Sequence, residues 1–404
     1  MLDKELIVSA PGKVILHGEH AVVHGKLALA VALNMRTYLR VGLSADSRVS
    51  LNLPNINTFL SWDLSSLKTL MPAYATELQK VDKPDHGLIQ QLREFMGVLE
   101  GSMENSTLAT LAFLYLYVSI FAGSRDWIGI TVTVWSELPT GAGLGSSAAY
   151  VVCLSAALLS ACGVLSCPVN GCQISRWNRE ELEIINKWAF QGEKIIHGNP
   201  SGVDNAVGTW GGALRYLSGD ITPLNSVPIL RILLTNTQVP RSTKVLVAGV
   251  KDKILKFPAI TIPVLDSINA ISHECEKILG EMATGPTDKH YDVLEELFDI
   301  NQHHLNVIGV GHPSLDKLCQ ITLAHGLHSK LTGAGGGGCG ITLLRPGTDS
   351  ITVDKVIKEL EDCGYDCWET NIGAPGVQLH CTSSVKEEIS EILWTPSSGN
   401  QQNL

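Results

Sequence analysis

Eleven residues constrain this chain most: Pro139-Thr-Gly-Ala-Gly143-Leu-Gly145-Ser146-Ser147-Ala148-Ala149. They follow a segment in which Ile130, Val132 and Val134 alternate with Thr131, Thr133 and Trp135, the period of a half-buried strand. They lead into Ala148–Cys162, an apolar run that predicts a buried helix beginning near Ser147. Glycines let the backbone turn tightly and expose its N–H groups, and the helix adds the positive end of its dipole. The combination is an anion cradle, most naturally for a polyphosphate. A serine at the helix start either caps it or ligates a cation that accompanies the phosphates. The loop lacks the Gly-Lys-Ser/Thr of a P-loop. Its third glycine stands one residue too close for a dinucleotide fingerprint, which argues against an oxidoreductase.

A second run, Leu331 to Gly340, carries six glycines between Gly333 and Gly340 and leads directly into an apolar strand at Ile341–Leu344. Such a run loses much chain entropy on folding, so close approach to a ligand is favoured over a linker. The 404 residues suffice for two domains with real cores. Forty acidic against 30 basic residues, net −10, argues against a nucleic-acid partner, while leaving room for a local basic site. The opening Met1-Leu2-Asp3-Lys4-Glu5-Leu6 lacks the basic region of a signal peptide, and no apolar stretch reaches the ~20 residues of a membrane span. The ten cysteines are scattered, mostly in apolar runs, and read as reduced thiols; the five-residue spacing of Cys162, Cys167 and Cys172 does not suit zinc. A cytoplasmic protein is expected.

Along the chain, Glu5–Ala10 and Val14–Leu16 predict two short strands around a turn at Pro11-Gly12, and Leu27–Leu43 a long β-rich run. Residues 44–105 are uneven and resist assignment. Leu108–Phe121 and Arg179–Ile196 predict helices, Ile229–Asn236 a strand, Pro240–Ser242 a hinge, and 262–282 and 290–309 amphipathic helices. These imply a first domain over 1–228, a second over 229–395 and a disordered tail over 396–404. Three polar groups stand near the loops: Lys13 between apolar strands, Glu193 on a helix, and Asp204 after Asn199-Pro-Ser-Gly-Val203. Taken singly, each also fits an ordinary surface charge or cap. His17, His20 and His24 raise a metal question, but they cross a glycine-containing loop without an accompanying cysteine.

Together, Pro11-Gly-Lys13-Val-Ile-Leu-His-Gly-Glu19-His20, the Pro139–Ala149 loop and the Thr332–Gly340 run resemble the three motifs of the superfamily of galactokinase, homoserine kinase, mevalonate kinase and phosphomevalonate kinase. His17–Gly25, Asn186–Glu193, His197–Asn205 and Ile372–Val377 are most similar to the mevalonate kinase branch. The resemblance implies an α+β, two-domain fold with the active site in the cleft between domains. It implies transfer of the γ-phosphate of ATP to the primary hydroxyl of mevalonate, in isoprenoid and sterol biosynthesis. Position by position, it makes Asp204 the base and Lys13 the charge stabiliser that keeps it ionised. Lys13, Asn55, Ser136 and Gly141, Ala142, Gly143, Leu144, Gly145, Ser146 and Ser147 would hold ATP, and Ser147 and Glu193 the Mg²⁺. Glu19, His20, His197, Ser201, Thr243, Gly333 and Ala334 would face the acceptor. The family pattern further implies a homodimer and inhibition by isoprenoid diphosphates, and leaves peroxisomal association open. The rivals are a kinase of the same superfamily with another acceptor, and a ligand sensor that has lost the chemistry.

Overall fold

The computed structural model describes residues 5–70, 83–98, 104–124, 126–167, 174–224, 226–395 and 402–403. Its first strand, β1 (Leu6–His17), is one continuous element. The expected turn at Pro11-Gly12 is instead an irregularity in the pairing with β2 (Ala28–Leu43), where Pro11 faces Arg36 and Gly12 faces Leu33. Proline has no N–H to give a ladder, and a bulge is where a strand tolerates one. β2 is buried on both faces, which is why it reads as an unbroken β-rich run rather than an alternation.

Residues 48–63 form the hairpin β3 (Arg48–Leu53) and β4 (Thr58–Asp63), with Val49, Leu51 and Leu53 inward and their neighbours half-buried. Short helices α1 (Leu64–Lys68) and α2 (His86–Phe95) follow. Of the stretch that resisted assignment, 71–82 and 99–103 lie outside the described residues. The helix α3 (Asn105–Phe121), the strand β5 (Ile130–Ser136), the helix α4 (Ser146–Ala161) and the helix α5 (Arg179–His197) agree with the sequence pattern. α3 and α4 are apolar nearly all round because α4 is sandwiched between β1–β2 and α3–α5. After α6 (Val203–Trp210) come β6 (Ala213–Leu217) and β7 (Asp220–Pro223).

β8 (Leu230–Asn236) begins the second half. Its helices are α7 (Thr243–Lys256), α8 (Pro258–Met282), α9 (Asp288–Val307) and α10 (Pro313–Ala324). β9 (Ser329–Leu331), β10 (Cys339–Leu344), α11 (Ser350–Glu361) and β11 (Asp366–Ile372) follow. β11 is antiparallel to β8 and touches β2 through Ile372 and Leu33, so one mixed sheet runs through both halves. The architecture is α+β, a mainly antiparallel sheet with helices segregated against it.

The chain then crosses back: β12 (Gln378–His380) pairs with β1, and α12 (Glu387–Trp394) packs on β2 and β5. Within the tail expected to be disordered, 396–401 and 404 lie outside the described residues, and β13 (Gln402–Asn403) pairs in parallel with β4. No helix among the described residues is long and apolar enough to cross a membrane.

Candidate active site

A cleft of about 1160 Å³ opens where β1, the loop before α4, the starts of α6 and α7, and the loop after β9 converge. Gly12 lets the phosphate-type loop close on β1: a Cβ there would lie 2.8 Å from the Leu144 carbonyl, which accepts the Lys13 N–H at 2.8 Å. Gly145, at φ +78°, does the same for the lysine, since a Cβ would sit 3.0 Å from Lys13 Cγ. The freed lysine reaches across to the first turn of α6, placing its Nζ 3.5 Å from Asp204 Oδ1.

The helix starts within one residue of the expected place. α4 begins at Ser146 with Gly145 as its N-cap and no side-chain cap, so neither serine is spent on capping. Ser147 Oγ instead lies 3.0 Å from His197 Nε2, at the end of α5. One turn earlier, Glu193 is buried beneath the cleft wall, and its Oε1 has no hydrogen-bond partner among the described residues. Burial pushes the Glu193 carboxyl up to about 7; nearby Asp204 adds to this, while Ser147 and Lys13 pull the other way. An orphaned buried carboxylate oxygen beside a serine hydroxyl is a hard-oxygen donor set of the kind that Mg²⁺ takes.

At the other end, His20 adopts φ +60°, a rare conformation for a non-glycine residue, and its Nε2 donates to the Ala334 carbonyl at 2.7 Å. Thr332 Oγ1 bonds both the N–H and the carbonyl of Ile15, each at 2.9 Å, tying the second glycine run to β1. Glu19 borders the cleft but points its carboxylate inward: Oε1 pairs with the equally enclosed Lys330, and Oε2 accepts from Asn301 at 3.0 Å. Burial pushes this carboxyl up and Lys330 opposes it. Glu19 thus lines the cleft where the acceptor was expected, with its carboxylate held by Lys330 and Asn301. His17 is buried against Phe298, with neither ring nitrogen bonded among the described residues.

On the remaining wall, the Asn55 side chain brackets the Ser136 backbone, donating to its carbonyl at 3.1 Å and accepting its N–H at 2.9 Å. Lys13, Glu19, His20, Asn55, Ser136, Gly141, Gly143–Ser147, His197, Ser201, Asp204, Thr243, Gly333 and Ala334 all line the one cleft; Ala142 and Glu193 lie behind its surface. Sequence reasoning missed Arg241, assigned only to a hinge. Its Nη2 donates to the Ala142 carbonyl at 2.6 Å, and its guanidinium threads between the two glycine loops. A Cβ at Gly143 would lie 2.5 Å from Nη2, and one at Gly338 only 1.3 Å from Nη1. Part of the second glycine run thus makes room for an arginine. The only hint in sequence is a lone cation between Pro240 and the helix-capping Ser242.

Family models agree with this geometry: GHMP kinases N terminal domain over residues 109–212, GHMP kinases C terminal over 287–366, and the galactokinase galactose-binding signature over 2–43. The solved structures similar to this fold include L. major mevalonate kinase in complex with R-mevalonate (TM-score 0.65, 22% identity, 91% of this chain and 96% of that one). Lactococcus lactis galactokinase complexed with galactose is another (TM-score 0.60, 17% identity, 93% and 95%). At the sequence level, the mevalonate kinase of Bos taurus is 59% identical and that of Homo sapiens 57%, each over 97% of this chain and 99% of theirs. The Arabidopsis thaliana mevalonate kinase is 40% identical over 93% of this chain. The chain belongs to the mevalonate kinase family of ATP-dependent GHMP kinases.

Proposed function

We propose that this chain phosphorylates the primary hydroxyl of mevalonate with ATP, through Asp204 and Lys13. The carrying observation is their 3.5 Å pairing beside a glycine loop whose residues line the same cleft. Phosphoryl transfer asks for in-line positioning and charge stabilisation more than covalent help. Asp204 accepts the proton of the attacking hydroxyl, and Lys13 stabilises the transferring oxygens. Gly141–Ser147 cradle the phosphates, Asn55 and Ser136 flank the nucleotide, and Arg241 adds the cation that the loop itself lacks. Ser147 and Glu193 would hold Mg²⁺, which when bound offsets negative charge on the β- and γ-phosphates. Glu19, His20, Ser201, Thr243, Gly333 and Ala334 face the acceptor, with Glu19 held in place by Lys330 and Asn301. Two domains meeting near residue 228, with 373–394 returning to the first, complete the reading. A homodimer, inhibition by isoprenoid diphosphates and cytosolic residence with peroxisomal association left open belong to it by family pattern.

The test is ADP release from ATP and Mg²⁺ with mevalonate, phosphomevalonate, galactose or homoserine. Turnover on mevalonate alone is expected. Turnover on galactose, the acceptor named by the signature over 2–43, would overturn the substrate. ATP binding with no turnover on any of the four would make the chain a sensor.

A further inference from the structure

We propose that His197 is a positioning residue for the cation site: its Nε2 accepts a hydrogen bond from the Ser147 hydroxyl and so turns that oxygen's lone pairs toward a metal shared with Glu193. The inference rests on the cation reading above. Its observation is separate, namely the 3.0 Å contact between Ser147 Oγ and His197 Nε2. Residues 193 and 197 are one helical turn apart, so α5 presents both side chains to the start of α4. A serine hydroxyl has one proton and two lone pairs. When the oxygen ligates a cation, its O–H must donate elsewhere, and two acceptors stand near it. If Glu193 accepted that hydrogen bond, a carboxylate oxygen needed by the cation would be spent on the serine. If His197 accepts it, both Glu193 oxygens stay available, and Oε1 is indeed buried without a partner among the described residues. Ser147 is free to play this part because the N-cap of α4 is Gly145. His197 was expected to touch the acceptor, and the two roles predict different losses.

The experiment is Mn²⁺ binding to the full-length protein–ADP complex, read by electron paramagnetic resonance, in the unaltered chain and in His197→Ala, His197→Gln and Ser147→Ala. Partners that orient metal ligands are worth about 10–100-fold in metal affinity, and His197→Ala is expected to fall in that range. Gln offers an acceptor oxygen at similar reach and should restore most of the affinity. ADP binding without divalent cation should be unchanged, which a merely structural defect at the helix end would not allow. Full Mn²⁺ affinity in His197→Ala, or no rescue by Gln, would overturn the proposal. A loss confined to the KM of the acceptor would return His197 to the substrate. If Ser147→Ala also leaves Mn²⁺ affinity intact, the cation reading fails first; if Ser147→Ala weakens it and His197→Ala does not, only the role of His197 falls.

Discussion

Arg36 and Glu193 are both buried charged side chains, 4% and 3% exposed, in surroundings that treat them in opposite ways. Arg36 lies in the seam where the C-terminal residues return to the first half. Its Nε donates to Ser9 Oγ at 2.7 Å, Nη1 to the Pro375 carbonyl at 2.8 Å, and Nη2 to the carbonyls of Ser9 and Gly376 at 3.0 and 2.7 Å. The seam spends its donors on fixed acceptors, and a satisfied network of that kind rigidifies. The cleft does the reverse. Glu193 Oε1 and His20 Nδ1 are buried without partners among the described residues, and His20 holds a strained backbone. Polar groups left unmade cost stability, so they mark where an incoming molecule completes the set.

The largest effect should come from the cleft. Asp204→Asn is expected to lower kcat by about 10²–10⁴-fold, the usual worth of a general base, with ATP affinity and thermal unfolding unchanged. Loss of nucleotide binding together with folding would mean that Asp204 is structural, and the contrast between the two regions would lose its main example. Lys330→Met should act on folding instead. It strands Glu19 as a buried unpaired charge, a change that typically costs about 3–5 kcal/mol. Urea unfolding measures this, and the double change Glu19→Gln with Lys330→Met should recover much of the loss. A double variant no more stable than the single one would show that the pair is not what Lys330 supports.

How much of this was legible follows the range of the physics involved. The glycine loop, its flanking strand and helix, and the long apolar helices are local patterns, and all appear near their expected places. The β3 alternation was also present in Arg48–Leu53, but it is only six residues long and lies within an uneven stretch. The partners of Glu19 and Arg241 were not legible because their surroundings come from far along the chain. Lys330 and Asn301 are about three hundred residues from Glu19, with sequence separations of 311 and 282. Arg241 is 99 residues from the carbonyl it binds. Nothing local distinguishes a glycine that bends a loop from Gly338, which yields space to an arginine. The motif Ile372–Val377 carried no chemistry in sequence; in the fold its carbonyls receive Arg36.

The seam has its own test, in pH. Burial, with Arg36 assisting, lowers the His380 imidazole to about 4. Ser9 Oγ accepts from Arg36 and so offers its proton to His380 Nε2 at 2.7 Å, which suits a neutral ring. Between pH 4 and ~6.5 the unfolded chain binds a proton there that the folded chain does not, so stability rises with pH through that window and is lost as pH falls. The shift corresponds to on the order of 3 kcal/mol at most. His380→Gln should flatten the acid limb of the stability profile relative to the unaltered chain. Identical slopes would show that the seam tolerates a charged imidazole, contrary to its fully paired geometry.

The smallest effect is expected at the rim of the cleft, where the two regimes meet. Asn55 is exposed, yet it makes two hydrogen bonds to the Ser136 backbone. Water can replace both when the side chain is removed, so Asn55→Ala should cost little folding stability, within about 1 kcal/mol. What it should lose is order at the end of β5, where the nucleotide is expected to rest, seen as a rise in the KM for ATP of roughly tenfold or less, since a single neutral hydrogen bond is worth about 1 kcal/mol. Asn55→Asp sharpens the point: it keeps the acceptor for the Ser136 N–H but sets a carboxylate against the Ser136 carbonyl, so it should bind ATP more weakly than the alanine variant. If Asn55→Ala instead lowered stability as far as Lys330→Met, the rim would belong with the fully paired seam, and exposure would have failed to separate groups that hold the fold from groups that wait for a ligand.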